Sequence, residues 1–77
     1  MLPVIKNGAA IAKSDSANLP KVSRAIYVGG GGDVKVDLAG VGSAIVFKAV
    51  PAGTLLPIQA TKVYSTLTTA TDMVLLY

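Results

Sequence analysis

The chain has 77 residues, enough for one small domain, and carries 7 Lys+Arg against 4 Asp+Glu, a net charge of +3. It contains no Cys, His, Trp or Glu, which excludes disulfides, thiolate nucleophiles, Cys-based zinc sites and imidazole proton transfer or ligation. Hydrophobic residues make up 52% of the chain, whereas a lone domain of this size hides only about 60–65% of its unfolded surface; the surplus predicts that a partner, most simply further copies of the chain, covers part of it.

Residues 1–20 are punctuated by turn and breaker residues: Pro3, Asn7-Gly8, Ser14-Asp15-Ser16, Asn18 and Pro20. Ala9-Ala10-Ile11-Ala12-Lys13 allows at most one helical turn or a short strand. Two readings stay open for this segment. It is either a loosely packed tail or an extended N-terminal arm, with Leu2, Val4, Ile5, Ile11 and Leu19 docking on this subunit or a neighbour. Met1–Ile5 lacks a basic lead and is cut off by Lys6, so no secretory signal is expected. The uncharged run Leu38–Phe47 falls well short of the about 20 apolar residues a membrane helix needs.

Residues 21–77 read as a β domain. Val22–Val28 is rich in β-branched and aromatic residues and stops at the run Gly29–Gly32. Val34, Val36 and Leu38 alternate with Lys35 and Asp37, the period of a strand with one buried face. After the Ala39–Ser43 turn, Ala44–Val50 is apolar on both faces, which predicts a central strand or one in contact with a partner. The turn Pro51–Thr54 leads to Leu55–Ile58, where Pro57 points to an edge or bulge. Lys62–Leu67 and Met73–Tyr77 are the last strands, the second of them expected to be held by the sheet or by a neighbour. About six short strands joined by short turns predict a small antiparallel β-sandwich or barrel, mostly a meander, with the N-terminal arm outside it.

The motifs read as structure rather than chemistry. Gly29–Gly32 is followed by Asp33 and a strand, not by Gly-Lys-Ser/Thr and a helix, so it is expected to be a hairpin loop and not a phosphate cradle. Gly40-Val41-Gly42 lacks the third glycine and the helix of a dinucleotide site, and Ser43 has no base to activate it. Asp33 and Asp37 share a strand face but read as solvated charges, and Asp72 as a turn residue or acceptor. No catalytic residue, cofactor or metal ligand is expected. The seven cations are scattered singly, so nucleic-acid binding by a small basic β-barrel remains an alternative rather than the leading reading. Arg24, the sole Arg, lies mid-strand; it either lays its stem on apolar surface or pairs bidentately with a carboxylate across a subunit contact.

Leu19-Pro20, Arg24–Gly29, Gly32-Asp33-Val34, Phe47 before Val50–Gly53, Leu56-Pro57-Ile58, and Thr68–Thr71 before Leu76-Tyr77 form an ordered series. In order and spacing this series resembles the spike base protein family of tailed phages and gene transfer agents, over about three quarters of the chain. The four-glycine run and Ser65–Thr68 depart from the family's pattern. The resemblance implies a virion structural protein without enzymatic activity or cofactor, synthesised in a bacterial cytoplasm. Such proteins form an oligomeric base at the capsid surface on which a spike or fibre is mounted. A capsid cement or decoration protein, or a tail-tip adaptor, is the alternative within the class. The implied partners are other copies in a homo-oligomeric ring, the major capsid or a neighbouring virion protein, and a spike fibre protein; neither nucleic acid nor membrane is implied. The residues expected at subunit interfaces are Leu2, Val4, Ile5, Arg24, Tyr27, Phe47, Tyr64 and Tyr77.

Overall fold

The computed structural model describes residues 5–77 and contains seven strands. These are β1 (Gly8–Ala10), β2 (Ala25–Gly30), β3 (Gly32–Leu38), β4 (Ile45–Val50), β5 (Thr54–Leu56), β6 (Ala60–Val63) and β7 (Thr71–Leu76). They form a four-stranded sheet in the order β1-β7-β2-β5 and a three-stranded sheet in the order β4-β3-β6. All pairings are antiparallel, so the fold is a small all-β sandwich. There is no helix among the described residues, and hence none long and apolar enough to cross a membrane. The predicted expected-interface residues Leu2 and Val4 lie outside the described residues.

The alternation read in β3 is what builds the core. Val34 and Val36 are fully buried between the sheets, while Lys35 and Asp37 point outward. Ile26 and Val28 of β2 and Met73 and Leu75 of β7 face them from the other layer, with Val50, Ala60, Val63 and Ala70 completing the interior. Ile11, Leu19, Leu38, Phe47, Leu56 and Ile58 pack around this cluster. The buried Ser23 is fully satisfied: its hydroxyl donates to the Ile58 carbonyl at 2.7 Å and accepts from the Ala60 N–H at 2.9 Å.

The connectivity departs from a meander. Only β3 and β4 are both consecutive and paired; every other pairing joins strands distant in sequence. The glycine run is the main reason. Gly29 and Gly30 finish β2, Gly32 starts β3, and the two strands belong to different sheets, so the segment is a corner between layers rather than a hairpin loop. At Gly29 a Cβ would lie 2.7 Å from the Asp72 carbonyl oxygen, and at Gly32 2.7 Å from the Ala70 nitrogen. The chain turns from one layer to the other through a gap that admits only bare backbone.

β4 lies at the edge of its sheet, not at its centre. Its far end is bulged: Gly32 pairs with Val50 and Val34 with Phe47, so Asp33 faces both Lys48 and Ala49. β5 is the edge of the other sheet, and Pro57 follows it directly, where its missing N–H leaves no ladder gap. Asp72 lies within β7 rather than in a turn, at φ 53°. The penultimate strand covers Ala60–Val63, and Ser65–Leu67 has left the sheet.

The segment before β2 is tied along the open side of the sandwich. β1 pairs with β7 through Gly8–Leu76, Ala9–Leu75 and Ala10–Val74. The Ile11 N–H then donates to Met73 in the same sheet, while the Ser14 and Leu19 N–H groups donate to Val63 and Thr61 in the other. Asp15 anchors the middle of this strap. Its carboxylate accepts the Ser65 and Thr66 N–H groups at 3.0 and 2.9 Å and the Thr66 hydroxyl at 2.5 Å.

Candidate functional site

The three carboxylates Asp15, Asp33 and Asp37 are engaged within the subunit. Asp33 accepts the Ala49 N–H at 2.9 Å, and Asp37 accepts the Ala44 N–H at 2.8 Å and the Tyr64 hydroxyl at 2.9 Å. Ala44 and Ala49 both adopt the left-handed backbone, at φ 54° and 53°. The two Asp side chains of β3 thus clamp the backbone at each end of β4, a structural duty in place of the solvated one expected for them. Lys62 lies 3.6 Å from Asp37, and Lys35 and Lys62 stack over the Tyr64 ring at 4.6 and 5.0 Å. Hydrogen bonds from Ala44 and Tyr64, with Lys62 beside them, hold the Asp37 carboxyl below the ordinary aspartate range; the same bond from Tyr64 pushes its phenol up. This cluster fixes the outer face of the three-stranded sheet. Among the described residues no three potential ligands converge on a metal position.

The outer face of the four-stranded sheet is different. Strand parity places Tyr27 of β2, Leu55 of β5 and Val74 and Leu76 of β7 on it, and Tyr27 is paired in register with both Leu55 and Val74. Tyr27 is 41% exposed, and Leu55, Val74 and Leu76 are half-buried. None of the four belongs to the packed core or its surround. An apolar row thus runs across the sheet on the side away from the core.

A cavity of about 340 Å³ is lined by Lys6 and Asn7 just before β1, Arg24 just before β2 and Tyr77 just after β7. Backbone bonds build it: Lys6 and Asn7 both donate to the Tyr77 carbonyl, Tyr77 donates to Asn7, and Arg24 donates to Leu76 at 2.7 Å. Neither Lys6 nor Arg24 has a side-chain carboxylate within ion-pair distance among the described residues.

Those of the expected interface residues that the structure describes are spread over the molecule. Arg24 and Tyr77 share the cavity, and Tyr27 lies on the apolar outer face of the four-stranded sheet. Ile5 is half-buried. Phe47 packs against the core from β4, and Tyr64 sits in the Asp37–lysine cluster of the opposite sheet. Sequence reasoning did not single out Lys6, Asn7, Val74 or Leu76 for a site. The outward phase of Val74 and Leu76 was readable only once Met73 and Leu75 were known to point inward.

No protein-family model matches the chain, and no curated protein matches it. Among solved structures, it is similar to a chain of the "Capsid of native GTA particle computed with C5 symmetry", a gene transfer agent particle, with 30% sequence identity and a TM-score of 0.85. The match covers 96% of this chain and 84% of that one. The chain belongs to the same family as that capsid chain, and it is a virion structural protein of the phage-like kind.

Proposed function

We propose that the protein is a homo-oligomeric spike base: a ring of small β units at the capsid surface on which a spike or fibre is mounted. The observation that carries this reading is the likeness, in sequence and in fold, to a chain of a gene transfer agent capsid. The apolar outer face of the four-stranded sheet supports it, because a side chain such as the 41% exposed Tyr27 gains from burial against a neighbour. Contacts of about 800 Å² per partner are standard for stable association, and several modest ones around a ring reinforce each other.

In this reading residues 1–20 act as an arm on the β unit of residues 21–77. The strap of hydrogen bonds from Ile11, Ser14 and Leu19 supports an arm that lies along its own subunit. Among the described residues, those expected at interfaces do not serve one contact. Arg24, Tyr27 and Tyr77 line the ring contact together with Leu55, Val74 and Leu76, whereas Tyr64 and Phe47 belong to the opposite sheet, which is left for the capsid or the fibre.

The test is direct. Purified protein is measured by light scattering coupled to size exclusion, and particles are imaged with gold-labelled antibody against the chain. A closed oligomer of fixed mass, and label confined to the sites where fibres emerge, is the expected result. Label spread evenly over the capsid lattice would instead indicate a cement protein. A monomer that binds DNA with steep salt dependence would indicate a nucleic-acid-binding barrel.

A further inference from the structure

We propose that Asn7 is a site of spontaneous deamidation, by attack of the Gly8 backbone nitrogen on its side-chain amide, and that the Asn7–Tyr77 backbone pair gates the reaction. This goes beyond the assembly reading and does not depend on it.

The chain has two asparagines, Asn7 and Asn18. Both are exposed, and asparagine is among the thermolabile side chains. What separates them is the residue that follows. Asn18 precedes Leu19, whose branched side chain crowds its nitrogen and whose N–H is donated to the Thr61 carbonyl at 2.8 Å. Asn7 precedes Gly8, which is exposed and has no Cβ. In the sequence Asn7-Gly8 reads as a turn, but the structure draws it into the start of β1. Asn7 and Tyr77 exchange both backbone bonds, the Asn7 N–H donating at 2.8 Å and the Tyr77 N–H at 2.9 Å. In an antiparallel ladder the next residue then turns its N–H away from the partner strand. β1 is the outer strand of its sheet, so the Gly8 nitrogen points to the sheet edge.

The step balances with water as the only co-reactant. The Gly8 nitrogen loses its proton to solvent and bonds to Cγ of Asn7. The Cγ–Nδ2 bond breaks, and that nitrogen leaves with a solvent proton as ammonia, closing a succinimide ring. Water then opens the ring at either carbonyl. Opening at Cγ gives aspartate. Opening at the backbone carbonyl gives isoaspartate, in which the chain runs through Cγ and is one methylene longer. Ring closure needs rotation about the Asn7 Cα–C bond, out of the extended conformation that the two bonds to Tyr77 hold. The reaction therefore proceeds from molecules in which this end of β1 has opened. The isoaspartyl product cannot restore the regular pair: the carbonyl that accepted the Tyr77 N–H has become a carboxylate off the main chain, and the added methylene breaks the register. In a particle, whose subunits are made once, the change accumulates with age.

The experiment ages full-length protein at neutral pH, folded and in guanidinium chloride, and weighs the fragments cut after lysine; residues 7–13 form one fragment. The expected result is exchange of NH for O at Asn7 with Asn18 intact, at least about tenfold slower in the folded chain than in the unfolded one. Gly8→Ala is expected to slow the reaction in both states without disturbing the fold, because a Cβ there meets the Leu76 and Val74 side chains at 3.5 and 3.6 Å, ordinary contact. Amide exchange reads the consequence. The isoaspartyl fraction is expected to lose protection at Tyr77, whereas Asn7→Asp, which adds the charge without the methylene, keeps it. Folded protein whose Asn7 stays intact through an incubation that converts the unfolded chain many times over would overturn the site. Equal rates in the two states would overturn the gate, and Asn18 converting as fast as Asn7 would overturn the part assigned to Gly8.

Discussion

Ala44 and Ala49 occupy a backbone region that favours glycine, and each is held there by an Asp of β3. A left-handed alanine costs about 1–2 kcal/mol. Ala49→Gly is therefore expected to stabilise the subunit by about 1 kcal/mol, read as a rise in melting temperature of about 4–8 °C for a chain of this size. Asp33→Ala removes the acceptor for the Ala49 N–H and is expected to lower stability by about 1 kcal/mol. The Asp37 carboxyl titrates below its ordinary range because the Ala44 N–H and the Tyr64 hydroxyl bind its charged form. A group with a depressed folded pKa stabilises the fold above its unfolded pKa and loses that contribution as pH falls through the folded value. In melts across pH, wild type should exceed Asp37→Asn by a constant margin at neutral pH. The margin should close only below the usual aspartate range; a gap that persists in acid would assign the effect to shape rather than charge.

At the level of elements, the glycine corner and the strap decide whether the two sheets stay together. Gly32→Ala pushes a methyl group into the Ala70 backbone, so a loss of at least about 2 kcal/mol is expected in urea unfolding. Removing residues 1–18 takes away the β1 ladder and the strap bonds of Ile11 and Ser14. The amide of Leu75, which faces β1, should then exchange faster with deuterium than that of Val36. β3 was legible in the sequence because Val34-Lys35-Val36-Asp37 writes its period in side chains, and the turn ahead of Thr54 was legible from Pro51 and Gly53. β1 was not, because Gly8-Ala9-Ala10 carries no alternation; its place comes from backbone bonds to β7, which leave no mark on residue type. The same blindness hid the corner, since glycines in a hairpin and glycines squeezed between two sheets read alike. For β4 the sequence left a central strand or a partner contact open; the strand lies at an edge, with Phe47 packed inward, so the central reading fails.

For the whole molecule, one sheet surface is locked by the Asp37–Tyr64–lysine cluster, and the other carries an apolar row. The cavity is a property of the folded subunit: Lys6 and Tyr77 stand seventy-one positions apart yet both line it. Arg24 could be singled out from the sequence as the sole Arg, but its neighbours Lys6 and Asn7 come from the segment whose placement the sequence left open. The cavity has a consequence for how the subunit is made. A ribosome releases residues 5–10 early and residues 71–77 late, so β1 has no strand to pair with, and Lys6 no Tyr77 to sit beside, until nearly all of this sequence has emerged. A chain that has not yet exposed residues 71–77 therefore lacks both the β1–β7 ladder and the cavity.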